Sequence, residues 1–332
     1  MNPRPACVAR RLIVLGAAAG VAVGGCTADR PRRIGSITVF PRPSSGVVPL
    51  FDAFFAGMRE QGYEEGRDYV MDWRVTGGNK PEAFDAHAAA LVADGVDLFV
   101  CFTTAAATAA KRATSTIPIV FSGVSDPVTS GLVASLARPG GNLTGLSAVD
   151  DELHGKRLEL LRELLPQARE VAVLWVPDMD TNRNELTQIE ALAPRLGIRI
   201  RRVELNRVED IVAVIPPLGR TSTDALFILP ASWHVQSSAA LVAAATQARL
   251  PSIGAERYHH AGGALLTYGA DIAAQARRAA GYVDRIFKGA KPGDLAVQQP
   301  LKFELLINLK TAVALGVAVP SILLLRADEV VR

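Results

Sequence analysis

The sequence lacks the short motifs by which many α/β enzymes bind nucleotides or expose a nucleophile. It contains no G-x-S-x-G turn, no G-x-G-x-x-G loop and no G-x-x-x-x-G-K-[ST] loop. The first motif carries the serine of α/β-hydrolases, and the other two hold the phosphates of dinucleotides and nucleoside triphosphates. We therefore expect no hydrolase of that fold, no bound nucleotide and no enzymatic activity.

Cysteine and histidine are also scarce. Of the three cysteines, Cys101 follows an apolar run, which favours a small buried side chain over the alternative of a nucleophile. None of the five histidines forms an H-x-x-x-H pair, and the adjacent His259 and His260 could not easily face one metal from regular structure. We therefore expect no bound metal and no cofactor. Basic residues are scattered rather than clustered, so we also expect no nucleic-acid partner.

The chain has little net charge, and the small excess lies in an N-terminal segment. There are 36 basic and 33 acidic residues, a formal charge of +3. Arg4, Arg10 and Arg11 precede an uncharged run over 12–25, which suits the apolar region of a signal peptide and is too short to span a bilayer. Without these three arginines, 33 basic residues balance 33 acidic ones.

The uncharged run ends in Val23-Gly24-Gly25-Cys26, which resembles a bacterial lipobox. This predicts cleavage after residue 25, acylation of Cys26 and a polar tether over 26–33, so that the protein is held by lipid at the periplasmic face of the membrane. A simple cleaved signal in which Cys26 is incidental is the alternative.

The remaining chain alternates strand and helix patterns. The first half reads as four β-α units between residues 34 and 136, including a short helix over 128–136, and the pattern restarts after 143–146. The second half includes a helix over 209–218 and a final strand and helix near 303–314. Alternation of this kind predicts parallel sheets with helices on both faces, in two similar α/β lobes.

Two such lobes predict a cleft, with ligand residues at the carboxyl ends of the strands. In the first half these ends carry small polar residues at predicted helix starts, which can present amide groups to a carboxylate: Ser44, Ser45, Thr103, Thr104, Ser122 and Asp126. Ordinary helix capping is the alternative for all of them. Asp126 could accept a ligand ammonium group or form a turn.

Aromatic residues make up only 6% of the sequence, yet three stand in predicted cleft loops of the second half: Trp233, Tyr258 and Tyr268. They could stack against a flat ligand. A tyrosine at a strand end can equally pack between lobes, so both interpretations stay open.

Several long segments resemble the ABC-transporter substrate-binding lipoproteins of the tryptophan/tyrosine-uptake type. They occupy residues 110–121, 126–127, 131–145, 156–161, 261–263, 268–269, 303–312, 314–316 and 326–330. The resemblance implies a type I periplasmic-binding-protein fold, with two Rossmann-like lobes joined by three crossover strands near 142–146, 268–270 and 297–300. It implies a first lobe of 34–143 plus about 270–296 and a second lobe of 144–269 plus about 297–332.

The resemblance also implies a function. The chain would bind a small solute, an amino acid or similar carboxylate, between its lobes and deliver it to an ABC permease with its ATPase. A module that reports ligand to a membrane receptor is the alternative. Trp233, His234, His259 and His260 depart from the usual family pattern, so the solute could differ from the aromatic amino acids known for some members.

Overall fold

The computed structural model describes residues 30–39, 49–78, 80–148, 150–231 and 234–332. The predicted signal segment and Cys26 lie outside the described residues. In chain order the first part contains β1 (Arg32–Thr38), α1 (Pro49–Glu60), β2 (Tyr69–Val75), α2 (Pro81–Ala93), β3 (Leu98–Cys101), α3 (Thr104–Ala113), β4 (Ile119–Val124) and β5 (Leu143–Ser147).

The second part begins with a long helix and again alternates. It contains α4 (Asp150–Leu164), β6 (Glu170–Trp175), α5 (Asp180–Leu192), β7 (Arg199–Glu204), α6 (Ile211–Val214), β8 (Ala225–Ile228), α7 (His234–Gln247), β9 (Ser252–Gly254), α8 (Arg257–Ala261), β10 (Leu266–Ala270), α9 (Ile272–Phe287), β11 (Phe303–Asn308), α10 (Leu309–Leu315), α11 (Ser321–Arg326) and β12 (Glu329–Val331). Among the described residues, no helix combines the length and apolar character needed to cross a membrane.

The strands form two sheets, one for each lobe. The first sheet has the order β2-β1-β3-β4-β5 and all of its pairings are parallel. The second has the order β12-β11-β10-β9-β8-β6-β7 and is parallel except for the antiparallel pair β10–β11. The predicted two-lobed fold with mainly parallel sheets is confirmed.

Both sheets are covered on both faces, as parallel sheets require. In β3, Leu98 and Val100 pack into one core with α1 and α9, while Phe99 and Cys101 pack into the opposite core with α2 and α3. Cys101 is fully buried, as expected, and burial raises the pKa of its thiol. The second sheet divides its strand residues between two further cores in the same way.

The chain passes between the two sheets three times. It leaves the first sheet after β5 and leaves the second after β10, when α9 returns to pack against α1 and β4. Gln298 then bridges to Leu146 of β5 before the chain enters β11. Because three segments join the lobes at one side, the opposite side can form a cleft.

One predicted helix is wrong and another is confirmed only in part. Residues 128–136 form turns, because Gly131 adopts a φ of 67° and the amides of Leu132 and Val133 both bond to the Pro127 carbonyl. The helix predicted over 209–218 is confirmed in part. It consists of the α-helical turn α6 between two 3₁₀ turns, Val208–Asp210 and Pro216–Arg220, and the α-helix ends before Pro216 because neither Pro216 nor Pro217 can donate a helical hydrogen bond. The sequence reading also missed α11 and β12, which follow the correctly predicted β11 and α10.

Candidate ligand-binding cleft

A cavity of about 430 Å³ lies between the carboxyl ends of the two sheets. This volume falls in the range of small-molecule sites, roughly 300–1,000 Å³. Its first-lobe wall comes from the ends of β1, β3 and β4 and the starts of α1, α2 and α3. Its second-lobe wall comes from the segments that follow β6, β8 and β9.

The start of α3 forms the polar part of the first-lobe wall. Thr103 is extended, and its hydroxyl oxygen accepts a hydrogen bond from the Ala106 amide at 3.2 Å. The first four amides of a helix have no partner within the helix, so this cap leaves the Thr104 and Ala105 amides for a ligand. The adjacent Ser122 side chain is 1% exposed, and its Oγ has no hydrogen-bond partner among the described residues.

Aromatic side chains form the apolar part of the same wall. Phe51, Phe84 and Phe102 are all buried and all line the cavity. Phe51 contacts Phe102 edge to face, with ring centroids 5.2 Å apart. Trp73 also packs edge to face against Phe51, with ring centroids 5.0 Å apart. A rigid apolar surface therefore lies beside the hydroxyl and amide groups of α3 and β4.

The second-lobe wall carries acidic side chains: Asp178, Asp180, Glu185 and Glu256. Glu185 is only 3% exposed, and its Oε2 accepts a hydrogen bond from Asn182 Nδ2 at 3.0 Å. Asn182 is itself fixed, because its Oδ1 accepts from the Val176 amide and its Nδ2 donates to the Pro230 carbonyl. These bonds hold the first turns of α5 against the ends of β6 and β8.

Two arginines line the cavity, but acidic side chains hold both of them. Arg112 donates to Asp85 at 2.6 Å. Arg257 donates to Glu304 at 2.8 Å and to Glu329 at 2.7 Å, and its hydrogen bond lowers the pKa of the Glu329 carboxyl. The guanidinium charges are thus largely offset within the protein.

Behind the second-lobe wall lies a group of buried histidines. The Glu256 amide donates to His259 Nδ1 at 3.3 Å at the start of α8, and the Tyr258 and His259 rings lie 4.4 Å apart. His234 packs edge to face against His259, with centroids 5.9 Å apart. Burial, with smaller contributions from His234 and Arg157, holds the pKa of His259 well below its ordinary value.

Comparison with known proteins identifies the family. Residues 46–331 match the model of the family described as ABC transporter substrate binding protein. The chain belongs to this family. A relative named tyrosine-binding protein, from Clostridioides difficile strain R20291, is 27% identical over 280 residues, which cover 83% of this chain and 80% of the relative.

Solved structures show the same fold for this substrate-binding protein. A conserved domain protein from Vibrio cholerae superimposes with a TM-score of 0.81 and 28% identity, covering 90% of this chain and 99% of its own. An ABC domain from Streptococcus pneumoniae in complex with L-Trp superimposes with a TM-score of 0.80 and 23% identity, covering 91% of this chain and 100% of its own.

The structure brings four of the residues singled out in the sequence to the cleft of this substrate-binding protein: Thr103, Thr104, Ser122 and Tyr258. Asp126 does not line the cavity; its Oδ1 accepts from the Val128 and Thr129 amides in a turn. Tyr268 also lies off the cavity lining and packs against Phe303, with centroids 6.3 Å apart. Ser44, Ser45 and Trp233 lie outside the described residues.

Sequence reasoning did not single out several other lining residues of the substrate-binding protein. Phe51 and Phe84 lie inside α1 and α2, so their apolar side chains gave no sign of a site beyond that of a helix face. Glu185 lies inside α5, beyond the loop that follows β6, so inspection of strand ends could not find it. Asp178 and Glu256 do follow strand ends, and their acidic character was the available signal.

Proposed function

We propose that this protein is the extracytoplasmic solute-binding component of an ABC importer and that its solute is an amino acid or a similar small carboxylate. Membership of the family and the relative named tyrosine-binding protein support this proposal. The observation that carries it is the cavity itself, where the capped start of α3 and the buried hydroxyl of Ser122 lie beside an apolar wall.

The ligand carboxylate would bind at the start of α3. The positive end of a helix dipole and free amides favour an anion there, and Ser122 Oγ can donate a further hydrogen bond. The ligand side chain would lie against Phe51, Phe84 and Phe102, which favours a large apolar or aromatic group. This arrangement binds a solute and carries out no reaction on it.

Transport would use closure of the two lobes. A ligand that contacts both lobes stabilises the closed arrangement by its preference for that state, and the closed form is delivered to a permease and its ATPase. The three segments that join the lobes provide the hinge in this mechanism.

Titration calorimetry of residues 30–332 with the twenty common amino acids tests the solute class. We expect heat and a thermal shift with at least one large apolar amino acid. Ser122→Ala should weaken its binding about 10- to 100-fold, because a hydrogen bond to a charged group contributes about 1.5–3 kcal/mol.

Ser36→Ala is the matched control for this measurement. Ser36 is also fully buried in a strand of the first lobe, and its Oγ likewise has no hydrogen-bond partner in the described part of the chain, but it does not line the cavity. The affinity of this variant should stay close to that of the parent protein. If no amino acid produced heat or a thermal shift, the proposed solute class would be wrong.

We also propose that Cys26 is acylated and anchors the protein to the membrane. Lipid chains contribute about 0.8 kcal/mol per buried CH₂ group, so the full-length protein should sediment with membranes. Cys26→Ser should move it to the supernatant, as should inhibition of the lipoprotein signal peptidase by globomycin. A parent protein found entirely in the supernatant would contradict the anchor.

A further inference from the structure

The second lobe carries an excess of basic side chains at the amino ends of its parallel strands. These ends form the edge of the lobe opposite the cleft, because the cleft lies at the carboxyl ends. Exposed cations lie in the segments that enter β6, β7, β8 and β9 and in the segment that follows the antiparallel β11. These five residues form the basic edge: Arg169, Arg195, Arg220, Arg249 and Lys310. They are scattered along the sequence, and the topology of the sheet gathers them.

Contacts between the connecting segments show that they are neighbours in space. A Cβ atom on Gly219 would lie 2.1 Å from the Ala248 carbonyl oxygen, so the segments that enter β8 and β9 touch. The Asn308 amide donates to the Leu265 carbonyl at 3.0 Å, just before β10 begins. This bond places the start of α10, and with it Lys310, at the same edge of the sheet.

Acidic side chains at this edge are few, and each already has partners. Asp224 Oδ2 accepts hydrogen bonds from the Arg169 and Glu170 amides at 2.7 and 2.9 Å. Glu170 is 8% exposed and pairs with Arg199 at 2.6 Å. In the described part of the chain, no ion pair joins a cation of the basic edge to an acidic side chain. The edge therefore presents positive charge that the protein itself does not pair.

The cations are spread along the whole edge. The strand order there is β11-β10-β9-β8-β6-β7, and neighbouring strands lie about 4.8 Å apart, so the six strands span about 24 Å. One cation follows β11, and one precedes each of β9, β8, β6 and β7. A single small anion cannot contact all five, whereas a surface with many anionic groups can.

A second copy of this protein offers little free negative charge at the equivalent edge of its first lobe. That edge carries acidic side chains, but three of them are paired. Arg67 pairs with Glu64 at 2.7 Å and with Asp68 at 2.8 Å, and Arg74 pairs with Asp94 at 2.5 Å. A bilayer that contains anionic lipids instead presents many unpaired phosphate groups in one plane and attracts each arginine or lysine near it.

We propose that the basic edge of the second lobe contacts the anionic headgroups of the membrane. Acylation of Cys26, as proposed above, would keep the protein at a high effective concentration beside the bilayer, so a weak and reversible contact suffices. The cleft lies at the other ends of the strands, so the contact leaves it open to solute. Because the contact depends on exposed charges, salt screens it.

Co-sedimentation of residues 30–332 with lipid vesicles tests the contact without the acyl chain. Residues 31–332 form one compact unit. Vesicles of phosphatidylcholine and phosphatidylglycerol, in a ratio of about two to one, should bind the protein in about 0.02 M salt and release it in about 0.3 M salt. Vesicles of phosphatidylcholine alone should bind none. Arg220→Gln combined with Arg249→Gln should weaken binding about 25-fold, since each charge near an anionic surface contributes about fivefold.

Arg59→Gln combined with Arg138→Gln is the matched control. Both residues are exposed and lie at the amino-end edge of the first lobe, Arg59 in the last turn of α1 and Arg138 before β5. This variant has the same net charge as the first, yet it should weaken binding less than about threefold. Thermal midpoints verify folding, and Arg169→Gln combined with Arg195→Gln removes two other charges of the basic edge with the same expected loss.

Each outcome decides for or against the membrane contact. The proposal is wrong if the protein ignores the anionic vesicles in low salt, binds neutral vesicles equally well, or is weakened equally by the control variant. If the vesicles bound nothing and the basic-edge variants instead dissociated an oligomer in low salt, the edge would be an interface between copies. Solute affinity should be the same in every variant, so failure of this proposal leaves the proposed function intact.

Discussion

Gly145→Ala is expected to lower the free energy of unfolding by more than about 3 kcal/mol. Gly145 lies in β5 opposite Phe121, and a Cβ atom at this position would lie 2.0 Å from the Phe121 carbonyl oxygen. The Gly145 carbonyl also accepts a hydrogen bond from the Gln298 amide at 3.1 Å. The added methyl group would therefore push β5 away from β4 and shift the Gly145 carbonyl that Gln298 binds.

Urea unfolding followed by circular dichroism measures this change, and Gly281→Ala is its control. Gly281 lies within α9, and a Cβ atom there would have no heavy atom within 4 Å. Because alanine favours helix over glycine, this variant should gain about 0.5–1 kcal/mol. If Gly145→Ala unfolded at the same urea concentration as the parent, β4 and β5 would not approach each other as closely at Gly145 as described here.

Acidification from pH 7 to pH 5 should destabilise the protein before its carboxylates titrate. Burial lowers the pKa of His234 from 6.5 to about 3, and burial also lowers the pKa of His259 and His260. Between these folded values and 6.5, the unfolded chain binds protons that the folded chain does not. The free energy of unfolding is therefore highest above pH 6.5. Below that pH it decreases by about 1.4 kcal/mol for each unit that the pH falls, from His234 alone.

Between pH 6.5 and pH 5, protonation of His234 in the unfolded chain should lower the free energy of unfolding by about 2 kcal/mol. Urea midpoints at intervals of half a pH unit measure the slope. His234→Gln removes the titrating group, so its slope should be shallower by about 1.4 kcal/mol per unit, whatever its stability at pH 7. A slope identical to that of the parent would show that His234 takes up its proton in the folded state.

The order of strands and helices could largely be predicted from local pattern. The apolar runs that form β4 and β8 are local features of the chain, and so are Gly62 and Gly95, which follow the ends of α1 and α2 with positive φ. Predictions failed where one residue changes the backbone, as Gly131 does in the turns over 128–136. The helix predicted over 209–218 is confirmed only in part, because Pro216 and Pro217 end the α-helical turn α6 and a 3₁₀ turn follows.

The candidate site was predictable only in part. Thr103 and Ser122 follow strands directly, and the topology of a parallel sheet brings such positions to one edge. The same rule pointed to Asp126, but a carboxylate two or three residues before free amides forms a turn with them instead. Glu185 depends on Asn182, Val176 and Pro230, which are brought together from two strand ends and one helix.

By itself, the sequence determined the properties that arise from short stretches of chain. These are the alternation that leads to two α/β lobes and the cap at Thr103; the leader and the acylation of Cys26 stay predictions. Tertiary structure alone decided which charges meet in the cleft. Burial and charge pairing depend on residues far apart in the chain, so only the folded protein shows that Arg257 is held by Glu304 and Glu329 while Glu185 lines the cavity.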